Sequence, residues 1–405
     1  MKLKLPIRIA AIAIIVVGLG VLTYALVFGS SKADEKKVFA QSTMLSGLWN
    51  AYKLEYWEDE TGRTLDKQQN DITTSEGQSY TMLRAVWQSD KPTFDAAWKW
   101  TQEHLQREDK LFSWRWGEKT DGTYGVLTDQ GGQNTASDAD SDIALALAMA
   151  ASRWQQSSYL DDSKAVITAM WEEEVITVQD VPYLASNNLE KDSAQDAVMN
   201  PSYLSPYAFR IFAEIDREHD WMALVDSSYA LINKAMESNL DTGKTANLVP
   251  DWILMNKTTG EIRAPEASTG SNLTTKYSYD AMRTTWRLAL DYQWNNEARA
   301  KSTLSKMKLL SDEWKNNQTV YSTYSHDGTA LTTDEPSEVY GTSIGYYMVT
   351  DPELADEVYS LKLQTLYDPN DSKWTTPMSY YGDNWTWFGM ALYDDKLPNL
   401  AEDLK

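Results

Sequence analysis

About a dozen stretches of this chain repeat their apolar residues at helical spacing, with loops rich in Gly, Asn, Asp and Thr between them. After a first helix at 43–52, the spacing predicts helices over Tyr80–Trp87, Phe94–Leu105, Ile143–Trp154, Ala165–Trp171, Tyr207–Ile215, Trp221–Met236, Met282–Tyr292, Ala298–Leu310, Ile344–Val349, Glu353–Leu366 and Trp385–Leu392. Strand-like segments are few, such as Val175–Val178 and Thr319–Thr323. Helices in consecutive hairpin pairs suggest a closed double ring, its helix-starting loops gathered at one mouth. A plain bundle has the same periodicity, so spacing predicts the helices and leaves closure open.

The acids that stand out lie where helices begin. Ala136–Trp154 carries Asp138, Asp140 and Asp142 in alternation, followed at once by an Ala/Leu-rich run. Asp138 and Asp142, four apart, share one helix face, and like charges at that spacing weaken a helix, so something beyond helix formation selects them. A calcium loop needs Gly at its sixth position, where this chain has Ile143. Ser75-Glu-Gly-Gln78 reads as a capping box, Ser75 at the N-cap and Gln78 reaching back. Glu76 then complements the helix dipole, while Gly77 weakens a first turn, which makes sense if a ligand must come close. Asp280 and Arg283, at i and i+3, read as an intrahelical ion pair or as an arginine holding a base ionised.

Composition narrows the chemistry. The 405 residues carry a net charge of −22, which repels phosphate backbones and excludes nucleic acid as a partner. There is no cysteine, and the three histidines, His104, His219 and His326, lack ligand spacing, so no metal and no cofactor are expected. With 17 Trp and 23 Tyr, aromatic faces are available both to the core and for stacking on sugars. Lys2, Lys4 and Arg8 precede the uncharged apolar stretch 9–28, long enough to cross a bilayer with its C-terminal side outward. Residues 1–31 are thus expected as a basic start and single-pass anchor, 32–44 as a linker and 45–400 as an extracellular domain. Secretion after cleavage near Ala33 is the alternative.

These residues resemble glycoside hydrolase family 8, inverting endo-acting β-glycanases that include cellulases, chitosanases and xylanases. Ala136–Ala144 matches the family pattern A-[ST]-D-[AG]-D-x-x-[IM]-A, and Ser75–Tyr80 looks like its general-acid segment. Trp114 after Leu111-Phe112, Asn200–Tyr203, Pro250–Trp252, Tyr279–Arg283 and Tyr380-Tyr381 follow in family order. Ala148 and the stretch Gly382–Trp387 depart from the commoner family residues.

The resemblance implies an all-α fold, an (α/α)6 barrel or six-hairpin toroid behind the N-terminal helix. It implies Glu76 as general acid, Asp138 as the carboxylate of the sugar-distorting subsite, and Asp280 as general base in the subgroup that has Asp there. Trp114, Tyr203, Tyr279, Arg283 and Tyr381 would bind substrate, with Trp116 and Trp252 as further stacking candidates. Burial and the charge of Asp138 would raise the pKa of Glu76 while its helix start opposes them; the same helix-start field would keep Asp138 ionised. The expected function is a membrane-anchored, monomeric extracellular endo-glycosidase cleaving a β-linked polysaccharide, with trimming of an exopolysaccharide as the use a tether fits. A non-catalytic glycan-binding or export subunit is the competing reading. A polysaccharide lyase would need a Tyr/His pair or arginine-rich uronate recognition, which the acidic balance and scarce histidine disfavour.

Overall fold

The computed structural model describes residues 42–266 and 273–404. The anchor and cleavage-site expectations fall on residues 1–41, outside the described residues. Among the described residues no helix is long and apolar enough to cross a membrane.

Thirteen α-helices are described. They are α1 (Thr43–Tyr56), α2 (Ser75–Gln88), α3 (Lys91–His104), α4 (Ser137–Trp154), α5 (Ser157–Glu173), α6 (Pro206–Ile215), α7 (Trp221–Glu237), α8 (Arg283–Asn295), α9 (Ala298–Leu304), α10 (Lys308–Asn317), α11 (Ser337–Thr350), α12 (Pro352–Val358) and α13 (Tyr380–Tyr393). Helices α2, α4, α6, α8, α11 and α13 each touch the next, and α13 returns to α2. The others flank that ring, each beside its sequence neighbour, with α1 packed on α13. This mostly helical arrangement fits an (α/α)6 barrel, and the return of α13 to α2 is the closure that periodicity left open.

Burial separates the two rings. Inner α4 is buried on every side from Ser137 to Ser152, and α11 and α13 nearly so. Outer α5 buries one stripe, Tyr159, Ser163, Val166, Ile167 and Met170, at the three- and four-residue spacing of an amphipathic helix. The Ala/Leu-rich sequence of α4 suits an inner position, because small side chains let neighbouring helices approach and Ala and Leu favour helix. Ends are local: α2 stops at Ser89 and α4 at Gln155, both in the left-handed region (φ 60° and 53°).

Closest approach in the inner ring is set by glycine. A Cβ built on Gly389 of α13 would lie 2.0 Å from the Gly341 carbonyl oxygen of α11, and one on Gly341 would lie 2.3 Å from the Trp385 oxygen. Backbone faces backbone, so no flexible side chain can give way. Gly389→Ala should therefore lower stability by about 1–3 kcal/mol or more despite its better helix propensity. Urea unfolding monitored by tryptophan fluorescence measures this; an unchanged midpoint would contradict the packing described.

Several local expectations change. Helix α2 is capped by Thr74, whose Oγ1 accepts from the Gly77 N–H at 2.9 Å. Gln78 does not complete a capping box: its Oε1 accepts from Thr64 N at 2.7 Å and its amide nitrogen donates to Gly62 O, Ala97 O and Thr101 Oγ1. The capping motif was a local pattern, and tertiary partners outcompeted it. Gly77 is crowded by Thr74 Oγ1 and Tyr380, at 3.3 and 3.6 Å from a built Cβ, so packing explains its size without a ligand. Thr319–Thr323 is irregular, whereas Val175–Val178 pairs with Val181–Leu184 in an antiparallel hairpin. The run 298–310 breaks into α9 and α10.

Candidate active site

A short antiparallel sheet leads into α2. Thr73–Thr74 pairs with Arg115–Glu118, Thr74 opposite Arg115, and the Ser75 N–H donates to Trp114 O at 3.1 Å. Glu76, the second residue of α2, is thereby set beside the Trp114 loop. Asp138 is the second residue of α4, and Asp280 lies in the turn just before α8.

The three acids meet on one guanidinium. Arg283, the first residue of α8 and buried, donates from Nη1 to Asp138 Oδ2 at 2.8 Å and to Glu76 Oε2 at 3.0 Å. Its Nη2 donates to Asp280 Oδ1 at 2.6 Å and to Ser202 Oγ at 3.0 Å. Asp280 and Arg283 do form the ion pair their spacing suggests, yet the same arginine reaches two acids more than 140 residues away in sequence.

The like-charged pair on α4 is explained one turn deeper. Arg287 is four residues after Arg283, and it grips Asp142 through two bonds of 2.9 and 2.8 Å. Two acids four apart thus face two arginines four apart, each repulsive spacing neutralised by the other helix. Ser205 Oγ and Tyr207 OH also accept from Arg287, at 2.5 and 2.7 Å.

The electrostatics distinguish the acids. Burial pushes Glu76 up to about 7; Arg283 pulls the other way, and the charge of Asp138 adds to the rise. The opposing helix-start field does not prevail. Glu76 keeps 23% of its side-chain surface exposed, so a ligand atom can reach it. Burial outweighs Arg283 and Arg287 at Asp138 and pushes it above its ordinary value. One guanidinium cannot neutralise three neighbouring carboxylates, and a proton is retained in the cluster toward neutral pH.

The aromatic candidates divide. Tyr203 lies under Arg283, its ring centroid 5.2 Å from the guanidinium carbon, and packs edge-on to Trp252. Trp252 Nε1 donates to Asp280 Oδ2 at 3.1 Å. The Tyr381 hydroxyl donates to Tyr279 O and its ring meets that of Tyr279, which is 43% exposed. Trp114 is partly exposed beside the start of α2, and its Nε1 is tied to Gly131 O at 3.0 Å. Trp116 is not with the acids: it packs on Trp100 and His104, with Arg63 over its ring. Strand pairing sends it to the α3 side, which spacing could not show. None of the three histidines contacts the three acids.

Four participants escaped sequence reading. The Tyr380 hydroxyl donates to Glu76 Oε1 at 2.8 Å, Ser202 and Tyr80 bond Arg283, and Asp251 orders the turn that presents Asp280. Asp251 accepts from Ala281 N at 2.8 Å, from Ser278 N at 3.1 Å and from the Ser278 hydroxyl. Burial, with the charge of Asp280 adding, pushes Asp251 up to about 7. The signal for Tyr380 and Asp251 was adjacency to Tyr381 and Trp252, but nothing local says which neighbour faces the cluster.

The chain is similar to known endoglucanases. Endoglucanase 2 of Ruminiclostridium josui is 30% identical over 288 residues, 69% of this chain and 56% of that protein. An endoglucanase of Escherichia coli (strain K12) is 32% identical over 244 residues, 58% of this chain and 60% of that protein. The chain spans less than two thirds of the length of the curated relatives it matches. In structure it is similar to an endo-1,4-D-glucanase from Vibrio fischeri ES114, with a TM-score of 0.72 at 24% identity over 86% of this chain and 95% of that one. The profile of glycosyl hydrolases family 8 matches residues 34–396. With that match over most of its length, and with the acids of both family motifs gathered on Arg283, this chain belongs to glycosyl hydrolases family 8.

Proposed function

We propose that this protein is an endo-acting glycoside hydrolase that cleaves a β-1,4-linked glucan by a single displacement with inversion. The convergence of Glu76, Asp138 and Asp280 on Arg283 carries this reading. Glu76 is the general acid. Its raised pKa keeps the proton that the leaving oxygen needs, and the Tyr380 hydroxyl fixes the orientation of its carboxyl. Asp138, paired with Arg283, faces the positive charge that develops on the sugar ring at the transition state. Asp280, held by Arg283 and by the indole N–H of Trp252, takes a proton from the attacking water. Tyr203, Trp114, Tyr279 and Tyr381 offer faces for sugar rings. The choice of glucan rests on the similar proteins, endoglucanases of Ruminiclostridium josui and Escherichia coli, and the β-1,4 linkage on the similar structure of an endo-beta-1,4-glucanase from Acetobacter xylinum.

Inversion is read directly by NMR. Hydrolysis of a soluble β-1,4-glucan should first release the α-anomer, with the β-anomer appearing only by mutarotation. Initial β-anomer would mean retention, which needs the two carboxyls closer together and one of them as nucleophile. The panel should include xylan and chitosan. Binding without turnover on every polymer would favour the glycan-binding reading. The placement outside the cytoplasm, tethered through the apolar stretch 9–28 and trimming the cell's own polysaccharide, belongs to the same proposal. Resistance of the full chain to carbonate extraction from membranes checks the tether.

A further inference from the structure

Beside the site lies a second acid pair that the reaction does not use. Asp140 and Glu174 are both fully buried and lie close enough for a proton held by one to bond the other. Asp140 Oδ1 accepts from the Phe112 N–H at 3.0 Å, and Glu174 Oε1 accepts from Thr135 Oγ1 at 2.5 Å. The remaining oxygens, Asp140 Oδ2 and Glu174 Oε2, are buried and bond no donor. Two buried carboxylates cannot face each other without a donor between them, because each unmet oxygen and each uncompensated charge is costly in a low-dielectric interior. A single proton between those two oxygens satisfies both.

The pair stands where three segments join. Phe112 leads two residues on to Trp114, whose N–H donates to Asn134 O at 2.9 Å. Thr135 and Asn188 exchange two bonds, Thr135 N to Asn188 Oδ1 at 3.0 Å and Asn188 N to Thr135 Oγ1 at 2.9 Å. Ser137 donates from N to Ser186 O at 3.1 Å and from Oγ to Ala185 O at 2.6 Å. Asp140 is two residues from Asp138 on the first turn of α4.

We propose that Asp140 and Glu174 are positioning residues that hold one shared proton and thereby pin the Trp114 loop and the 185–188 segment to the start of α4, fixing the backbone that carries Asp138. This rests on the reading of Asp138 as a reaction residue. The charged groups facing the pair are Asp138, whose charge favours retention of the proton, and Arg107, whose charge opposes it at Glu174. Burial pushes both carboxyls up, in agreement with the geometry. The sign follows: a group raised on folding stabilises the fold below its unfolded pKa, and that contribution is lost as pH rises through its folded value. Loss of the shared proton leaves two facing buried anions and loosens the junction.

The test uses Glu174→Gln and Glu174→Ala in the full chain. Gln at 174 supplies a permanent N–H to Asp140 Oδ2 and still accepts from Thr135, so the bond persists without a titrating proton. Between about pH 5 and about pH 8 the Tm of Glu174→Gln should fall less than that of wild type. Equal falls would overturn the shared proton. At about pH 5.5 Glu174→Gln should keep kcat within about threefold of wild type, while Glu174→Ala, folded by circular dichroism, should lose about tenfold or more with little change in KM. Wild-type kcat in Glu174→Ala would overturn the positioning role. If wild type itself shows no turnover, the functional reading fails, while the Tm comparison still decides whether the proton is shared.

Discussion

Glu76→Gln is expected to lower kcat on a soluble β-glucan by about 10³-fold, the span that a general acid commonly supplies, while substrate affinity stays close to wild type. The amide is nearly isosteric and can keep its contacts to Arg283 and Tyr380, so binding surfaces persist. What it lacks is a transferable proton. The pH profile gives a second measure. Glu76 sits at about 7, so wild-type kcat should decline as pH rises through that value and the acid loses its proton. The residual activity of Glu76→Gln should lose that limb. Its stability should also respond: a carboxyl raised by folding stabilises below its ordinary pKa and ceases to do so as pH climbs through about 7. Glu76→Gln should therefore match or exceed wild type in Tm above neutral pH. An active Glu76→Gln with an intact alkaline limb would remove the acid from the mechanism.

Arg283→Met should have the largest effect on the fold. The guanidinium is 1% exposed at its side chain and donates to three carboxyls. Removing one partner of a buried ion pair typically costs about 3–5 kcal/mol, because the other partner is left charged and unpaired. Here three are left. Arg283 lowers the pKa of Glu76 and of Asp138, so both should rise in the variant. The loss of stability should be greatest above neutral pH and shrink toward pH 4, where the carboxyls take up protons. Denaturant unfolding at two pH values measures it. A pH-independent loss would point to simple cavity formation; no loss would show that the acids find other partners. Activity should vanish at every pH, since the turn bearing Asp280 also loses its bonds from Arg283.

Much of this was legible in the chain itself. Helical content follows from a local period, and the acids stand out because Asp138, Asp140 and Glu76 occupy the first turns of helices. The family resemblance rested on short motifs in order, and the profile match over residues 34–396 confirms it. The errors share one cause. Ser75 and Gln78 have the spacing of a capping box, but Gln78 meets α3 and the 62–64 segment, which lie elsewhere in sequence. Trp116 is as aromatic as Trp252, and only tertiary packing decides that one, set by strand pairing, meets Trp100 while the other bonds Asp280.

By itself the sequence determined which segments are helices, which helix starts are acidic, and that no thiol chemistry is available, because each of these depends on residues within a turn or two or on composition alone. Only the tertiary structure decided that the double ring closes from α13 to α2, that Arg283 and Arg287 answer Asp138 and Asp142, and that Asp140 faces Glu174. Those contacts join residues far apart in the chain, and their charges and burial exist only once the helices have packed. A carboxyl's pKa is a property of the space around it, and that space is made by folding.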